Sequence, residues 1–190
     1  MIAETRGKLI AAARDAFSRR GYAETSMDDF TASAGLTRGA LYHHFGDKKG
    51  LLQAVVETLD AGMDVRLDAA SEAADLWEGF VRRCKLYLEM ALEPEIRQIV
   101  LKDAPAVLGA SVLEPSRRQC LASLAARLSA MMAGGIVRQG DAETLARLIN
   151  GALADAALWI AEADDPATRL ASASDNLDLL LFGLKNEISA

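Results

Sequence analysis

The chain has 190 residues, 51% of them hydrophobic and 5% aromatic, with a formal net charge of −6. That apolar share is ample for a packed core and excludes a disordered chain, while no run of about 18 uninterrupted apolar residues is present to form a transmembrane helix. The charge is uneven: residues 1–50 hold eight Lys/Arg against six Asp/Glu and the remaining 140 hold 13 against 21, so a mildly basic head precedes an acidic body, compatible with phosphate binding without by itself suggesting it.

Residues 5–20 read as a first helix. Leu9, Ile10, Ala13, Ala16 and Phe17 recur with a 3.6-residue period, and Gly21 follows as a C-terminal cap. The same stretch carries Arg6, Lys8, Arg14 and Asp15 and lacks the apolar block and cleavage site of a signal peptide. Ser26 caps a short helix over 27–34, with Asp28 and Asp29 in its first turn to suit the positive helix end. Gly35 stops it. Thr37 caps a third helix, 38–45, which Gly46 ends, and Asp47 caps a long fourth helix reaching about residue 70.

Further helices are expected over 75–92, 94–102, within 111–133, and over 141–163 and 166–185. Pro94 and Pro166 sit where a first helical turn tolerates proline, and Gly134-Gly135 marks a break. The start near Pro115 stays open: Ser111 and Glu114 resemble a capping box, and Pro115 could equally be the first helical residue. About nine helices and no strand make an all-α protein. A three-helix head, 1–46, precedes a larger helical body, 47–190, and the fourth helix joins them. Abundant Ala and Leu fit this, since both lose little entropy in a helix.

Within the head, a short helix, a turn holding Gly35 and a second short helix match the helix-turn-helix pattern. Leu41 and Phe45 mark the packed face of the second helix. Gly39 and His43 fall roughly opposite, flanked by Ala40 and Tyr42, with Arg38 at the N-terminal end. Arg can take guanine bidentately, Gly and Ala permit close approach, and Tyr and His can hydrogen-bond phosphate. Asp47-Lys48-Lys49 then offers a helix start and a lysine to phosphate. On pattern alone, a structural helical hairpin with a solvated polar face fits equally well.

The residues themselves are more specific. The run Ala34-Gly35-Leu36-Thr37-Arg38-Gly39-Ala40-Leu41-Tyr42-His43-His44-Phe45-Gly46-Asp47-Lys48-Lys49-Gly50-Leu51-Leu52 closely resembles the tetracycline-repressor (TetR) family of bacterial regulators. So do Ala16-Phe17 before Gly21-Tyr22, and Thr25-Ser26-Met27. The resemblance covers roughly residues 5–57; a weaker likeness to one branch of the family lies in Leu101–Gly109. Phe30 and Thr31 depart from the family's aliphatic-then-alanine pair, and Thr31 is expected to alter the helix crossing slightly.

The resemblance implies that Arg38, Gly39, Ala40 and His43 face the major groove. It assigns Tyr42, His44 and Lys48 to phosphates, and Ser26 and Thr37 to the backbone at helix N-termini. It further implies a homodimer built from the last two helices, hence a palindromic double-stranded DNA operator. Candidate interface residues are Leu145, Leu148, Ile149, Ala152, Ala156, Trp159, Leu177 and Leu181. The middle helices are expected to enclose an effector, with Trp77, Phe80, Cys84, Tyr87, Leu88, Leu101, Val107, Leu108, Cys120 and Leu124 as candidate lining. The body shows no concentrated charge cluster in sequence, so an apolar or aromatic small molecule is expected. The implied function is a DNA-binding transcriptional repressor released by that effector.

The two cysteines, Cys84 and Cys120, stand at no metal-like spacing, so a reducing bacterial cytoplasm is the expected compartment. Each reads as a small buried hydrophobe, with thiol sensing as the alternative. No nucleophile motif, phosphate loop or paired metal ligands occur, and adjacent His43 and His44 do not share a helix face. No enzyme activity, cofactor, metal or membrane partner is expected.

Overall fold

Leu9, Ile10, Ala13 and Phe17 line the buried face of α1 (Ile2–Arg20) in the computed structural model, which describes residues 2–35, 37–73 and 75–186. Leu36, part of the family-like run, lies outside the described residues. After α1 come α2 (Met27–Ala34), α3 (Arg38–Phe45), α4 (Lys48–Ala70) and α5 (Leu76–Met90). A π-helical segment (Ile96–Asp103) leads into α6 (Ala104–Leu108), followed by α7 (Ala110–Ala133), α8 (Ala142–Ala161) and α9 (Pro166–Phe182). The fold is all-α. Among the described residues no strand forms, and no helix is long and apolar enough to cross a membrane.

By packing, the chain makes two units, Met1–Gly62 with Glu93–Glu114, and Met63–Leu92 with Pro115–Ala190. The 1–46 head falls wholly within the first. There α1 packs on α2, α3 and the π-helical segment. Phe17, Phe30, Leu41, Leu51, Leu52 and Ile99 are fully buried, and each such side chain contributes about 1.5–3 kcal/mol relative to exposure. The Phe17 and Phe30 rings meet edge-on at 5.1 Å, the arrangement that their quadrupoles favour.

The expected ordinary helix over 94–102 is instead this π-helical segment running on into α6. Pro105 explains the difference. It has no N–H to give the Leu101 carbonyl, and its ring crowds that oxygen. A wider turn before the proline relieves the clash, and the Ala104 N–H bonds back five residues to Ile99 O.

In the second unit α5 packs on α8 and α9, and α8 on α9. The start of α7 settles on neither expected residue: Gly109, at φ 80, precedes it, and Pro115 lies inside the helix. The last helix ends at Phe182, short of 185, because the following chain pairs elsewhere. Lys185 forms an antiparallel bridge with Val137; Arg138 N–H donates to Leu184 O and Asn186 N–H to Ile136 O, each at 3.0 Å.

Candidate nucleic-acid interface

Local chemistry fixes both short helices. The Ser26 hydroxyl accepts from the Asp29 N–H at 3.3 Å, and the Ser26 N–H donates to the Asp29 carboxylate at 2.7 Å. This closes a capping box at the start of α2. The tie holds the Asp29 carboxyl below its ordinary range, through the Ser26 hydrogen bonds first and Arg20 second. Gly35 ends α2 in the left-handed region at φ 63, and the Thr37 hydroxyl accepts from the Ala40 N–H at 3.3 Å to start α3. Thr31 is buried, yet its hydroxyl donates within α2 to Asp28 O at 3.1 Å. Its polar atom is therefore satisfied inside its own helix.

Leu41 is fully buried and anchors α3. Arg38, Gly39, Tyr42 and His43 are exposed; Ala40 and His44 are half-buried. Tyr42, 51% exposed, has a phenol free to reach outward. Past Gly46 the Asp47 carboxylate accepts from the Gly50 N–H at 2.7 Å and starts α4. Lys48 lies half-buried with its Nζ 4.1 Å from the centre of the Tyr22 ring. Burial lowers the Lys48 pKa, and the carboxylates of Asp103, Asp29 and Glu24 oppose that fall.

Three participants were not legible as such in the sequence. Asp28 holds the Arg38 guanidinium in a bidentate ion pair, Nε on one oxygen and Nη2 on the other. Hydrogen bonding to Asp28, then its charge, raises the Arg38 pKa. Asp28 carried only the signal of an acid in a first helical turn. Tyr22 supports Lys48, and Asp103 of the π-helical segment accepts the Tyr22 N–H at 2.8 Å; no spacing rule connects positions so far apart.

The ten candidate effector residues divide between the two packing units. Leu108 is buried in the first, with Leu101 and Val107 half-buried. Phe80, Cys84, Leu88 and Leu124 are buried in the second, with Trp77, Tyr87 and Cys120 half-buried. Burial pushes the Cys84 thiol up to about 12. A recess of about 530 Å³ on the second unit is lined by Trp77 together with Val81, Arg82, Lys85, Leu86 and Glu89 among others, and shares only Trp77 with the expected set.

The premise of a body without concentrated charge does not hold. Arg83, 3% exposed, places Nη1 3.0 Å from Asp68 Oδ1, and Arg127 Nη2 reaches the same oxygen at 3.0 Å. Asp64 stands near, its carboxyl raised by desolvation against the pull of Arg83. Helical periodicity had scattered these four residues over three helices. Among the described residues no group of His, Cys, Asp and Glu is placed to hold a metal ion.

The eight interface candidates separate by burial. Leu148, Ala152 and Trp159 are exposed along α8, with Leu145 and Ala156 half-buried beside them. Ile149, Leu177 and Leu181 are buried in the chain's own core, so they are not surface available to a second copy. On α9 the large exposed apolar side chains are Leu179, Leu180 and Phe182; the apolar pattern of this helix marks Leu180 but not Leu179 or Phe182.

Comparison with known proteins accords with this geometry. Residues 9–55 match the model for bacterial regulatory proteins of the tetR family, and residues 77–184 match that for a tetracyclin repressor-like C-terminal domain. The crystal structure of a TetR-family transcriptional regulator from Pectobacterium atrosepticum is 58% identical, with TM-score 0.91, covering 98% of this chain and 96% of that one. The HTH-type transcriptional regulator TtgR and the probable regulator ArpR, both of Pseudomonas putida, are each 40% identical over 100 residues. Those matches cover 50% of this chain and 47% of each relative, so the chain matches about half the length of these curated relatives. With both its N-terminal and its C-terminal parts matched, the chain belongs to the TetR family of bacterial regulators.

Proposed function

We propose that this protein is a sequence-specific DNA-binding transcriptional repressor of the bacterial cytoplasm, released from a palindromic operator by a small-molecule effector. The observation that carries the reading is the capped α2–α3 pair. It buries Leu41 and leaves Arg38, Gly39, Tyr42 and His43 on an open helix face, with Lys48 at its flank. A helix presenting Arg at its N-terminal end, small residues and polar rings suits a major groove. In this reading Arg38, Gly39, Ala40 and His43 meet bases, while Ser26, Thr37, Tyr42, His44 and Lys48 meet the backbone. The names of TtgR and ArpR as HTH-type transcriptional regulators support it.

Two copies associate through the exposed faces of α8 and α9, giving paired recognition helices and a two-fold operator. An effector held in the 47–190 body binds better to a state that spaces those helices wrongly, and operator affinity falls by that differential affinity. Selection of bound sequences from random double-stranded DNA tests the reading. A palindromic consensus is expected, with affinity falling steeply as salt rises. Enrichment of no sequence by a folded protein would overturn it.

A further inference from the structure

The Asp28–Arg38 pair is not needed to start α2, since Ser26 and Asp29 already close that helix end. Nor does it stabilise the fold appreciably, because both side chains are more than half exposed and such pairs contribute little. A carboxylate beside a face that meets phosphates opposes binding to every DNA sequence alike. The pair's geometry therefore needs a different account.

A guanidinium carries five N–H donors in one plane. Asp28 takes the side edge, receiving Nε–H on Oδ1 and one Nη2–H on Oδ2. The end edge, formed by Nη1–H and the second Nη2–H, remains. Those two parallel donors match O6 and N7 of guanine. Arg38 begins α3 and its side chain is 63% exposed, so that edge belongs to a largely solvated group.

We propose that Asp28 is the positioning residue for base reading by Arg38: it fixes the guanidinium by its side edge and so aims the end edge at one guanine in each half-site. This rests on the reading of α3 as the helix that enters the groove. A long, flexible arginine left untethered meets phosphates or several base edges. Tethered, it has lost its rotamer freedom before binding, and less is lost on contact. Asp28 thus weakens general affinity and sharpens choice at one base pair.

The experiment compares the full-length protein with Asp28→Ala, Asp28→Asn, Arg38→Ala and the double variant Asp28→Ala/Arg38→Ala. Selection from random double-stranded DNA comes first, then affinities for the selected site with each base at every position. Thermal unfolding confirms that each variant is folded. A well-placed arginine discriminates guanine from other bases by about one order of magnitude or more. The expected result is that Arg38→Ala abolishes preference at one position. Both Asp28 variants should cut preference there at least about threefold and bind random-sequence DNA more tightly, and the double variant should resemble Arg38→Ala. If the Asp28 variants keep the full preference that Arg38→Ala loses, Asp28 only repels phosphate and the proposal is overturned. If Arg38→Ala keeps every preference, the assignment of Arg38 to bases falls and the proposal with it. If the unaltered protein enriches no sequence, the function proposed above has failed as well.

Discussion

Lys48 and Tyr22 form a cation–ring pair, with the ammonium 4.1 Å from the ring centre. The Tyr22 backbone is in turn anchored, because its N–H donates to Asp103, and the ring lies 5.7 Å from that of Phe17. Lys48 is therefore held rather than free to sample the solvent. Lys48→Ala is expected to weaken binding to all DNA sequences alike and to lower the salt slope by about one. Tyr22→Leu should keep the charge but lose the tether, weakening binding by about 0.5–1 kcal/mol with the slope nearly unchanged. Affinity titrations at several salt concentrations separate the two.

Gly50 is required by the turn between α3 and α4. A Cβ at this position would lie 2.1 Å from the Phe45 carbonyl oxygen, a backbone atom with no rotamer to escape by. Gly50→Ala is expected to cost about 1–3 kcal/mol through forced backbone shift, measured by urea unfolding. Gly62→Ala is the control, since nothing lies within 4 Å of its Cβ position, and there the substitution should be neutral or mildly stabilising.

Arg83 depends on Asp68 for its charge partner. Asp68→Ala leaves a buried guanidinium without its ion-pair partner. The expected loss is about 2 kcal/mol, short of the cost for a fully buried pair because Asp68 is itself solvated. Arg83→Met, which removes the charge and keeps the bulk, should cost less. Denaturant midpoints of the two variants check the order, and a larger loss in Arg83→Met would contradict it.

Cys84 bears on pH dependence. Burial first, with Cys120 adding and Arg83 opposing, moves its thiol from an ordinary 9.0 up to about 12. Between those values the unfolded chain has lost the proton and the folded chain has kept it. The stability this group contributes is complete below pH 9.0 and is lost as pH rises toward 12. Unfolding free energy should therefore fall faster above pH 9.0 in the natural protein than in Cys84→Ala, by up to about 1.4 kcal/mol per pH unit. The same burial predicts slow alkylation of Cys84 at neutral pH until the protein unfolds.

The exposed and buried leucines of α8 and α9 should answer differently to substitution. Leu148→Glu combined with Leu180→Glu is expected to give a folded monomer by sedimentation, since both side chains face outward. Leu181→Ala, fully buried within one chain, should instead lower stability by about 2–5 kcal/mol without changing the oligomeric state. A dimer that survives both glutamates would place the interface elsewhere.

What the sequence made legible was set by interactions of short range. The caps Ser26, Thr37 and Asp47 each bond the amide three residues on, so one local pattern carries the whole interaction. Leu41 and Phe45 were identifiable as the packed face of α3 because they lie one turn apart; Leu41 is fully buried and Phe45 half-buried. On α9, Leu177, Leu179, Leu180, Leu181 and Phe182 surround the helix, and periodicity cannot say which face turns inward. The π-helical segment was hidden for a related reason. Pro105 announces a disturbance, but the local pattern does not say whether the helix breaks, kinks or widens there. Asp28 and Arg38 lie ten residues apart on different helices, and their meeting is a product of the crossing rather than of spacing.

The π-helical segment that holds Asp103 has a geometric consequence. A π turn carries one more residue than an α turn, and each residue of an α-helix is rotated by about 100° from the last. Had residues 96–103 wound as an α-helix, everything after the wide turn would sit about one residue out of phase. Asp103 would then point to another side, and its hydrogen bond to the Tyr22 amide would be lost. The inserted residue acts as a shim: it sets the angular register by which a carboxylate in one part of the chain grips the end of α1, and with it the ring on which Lys48 rests.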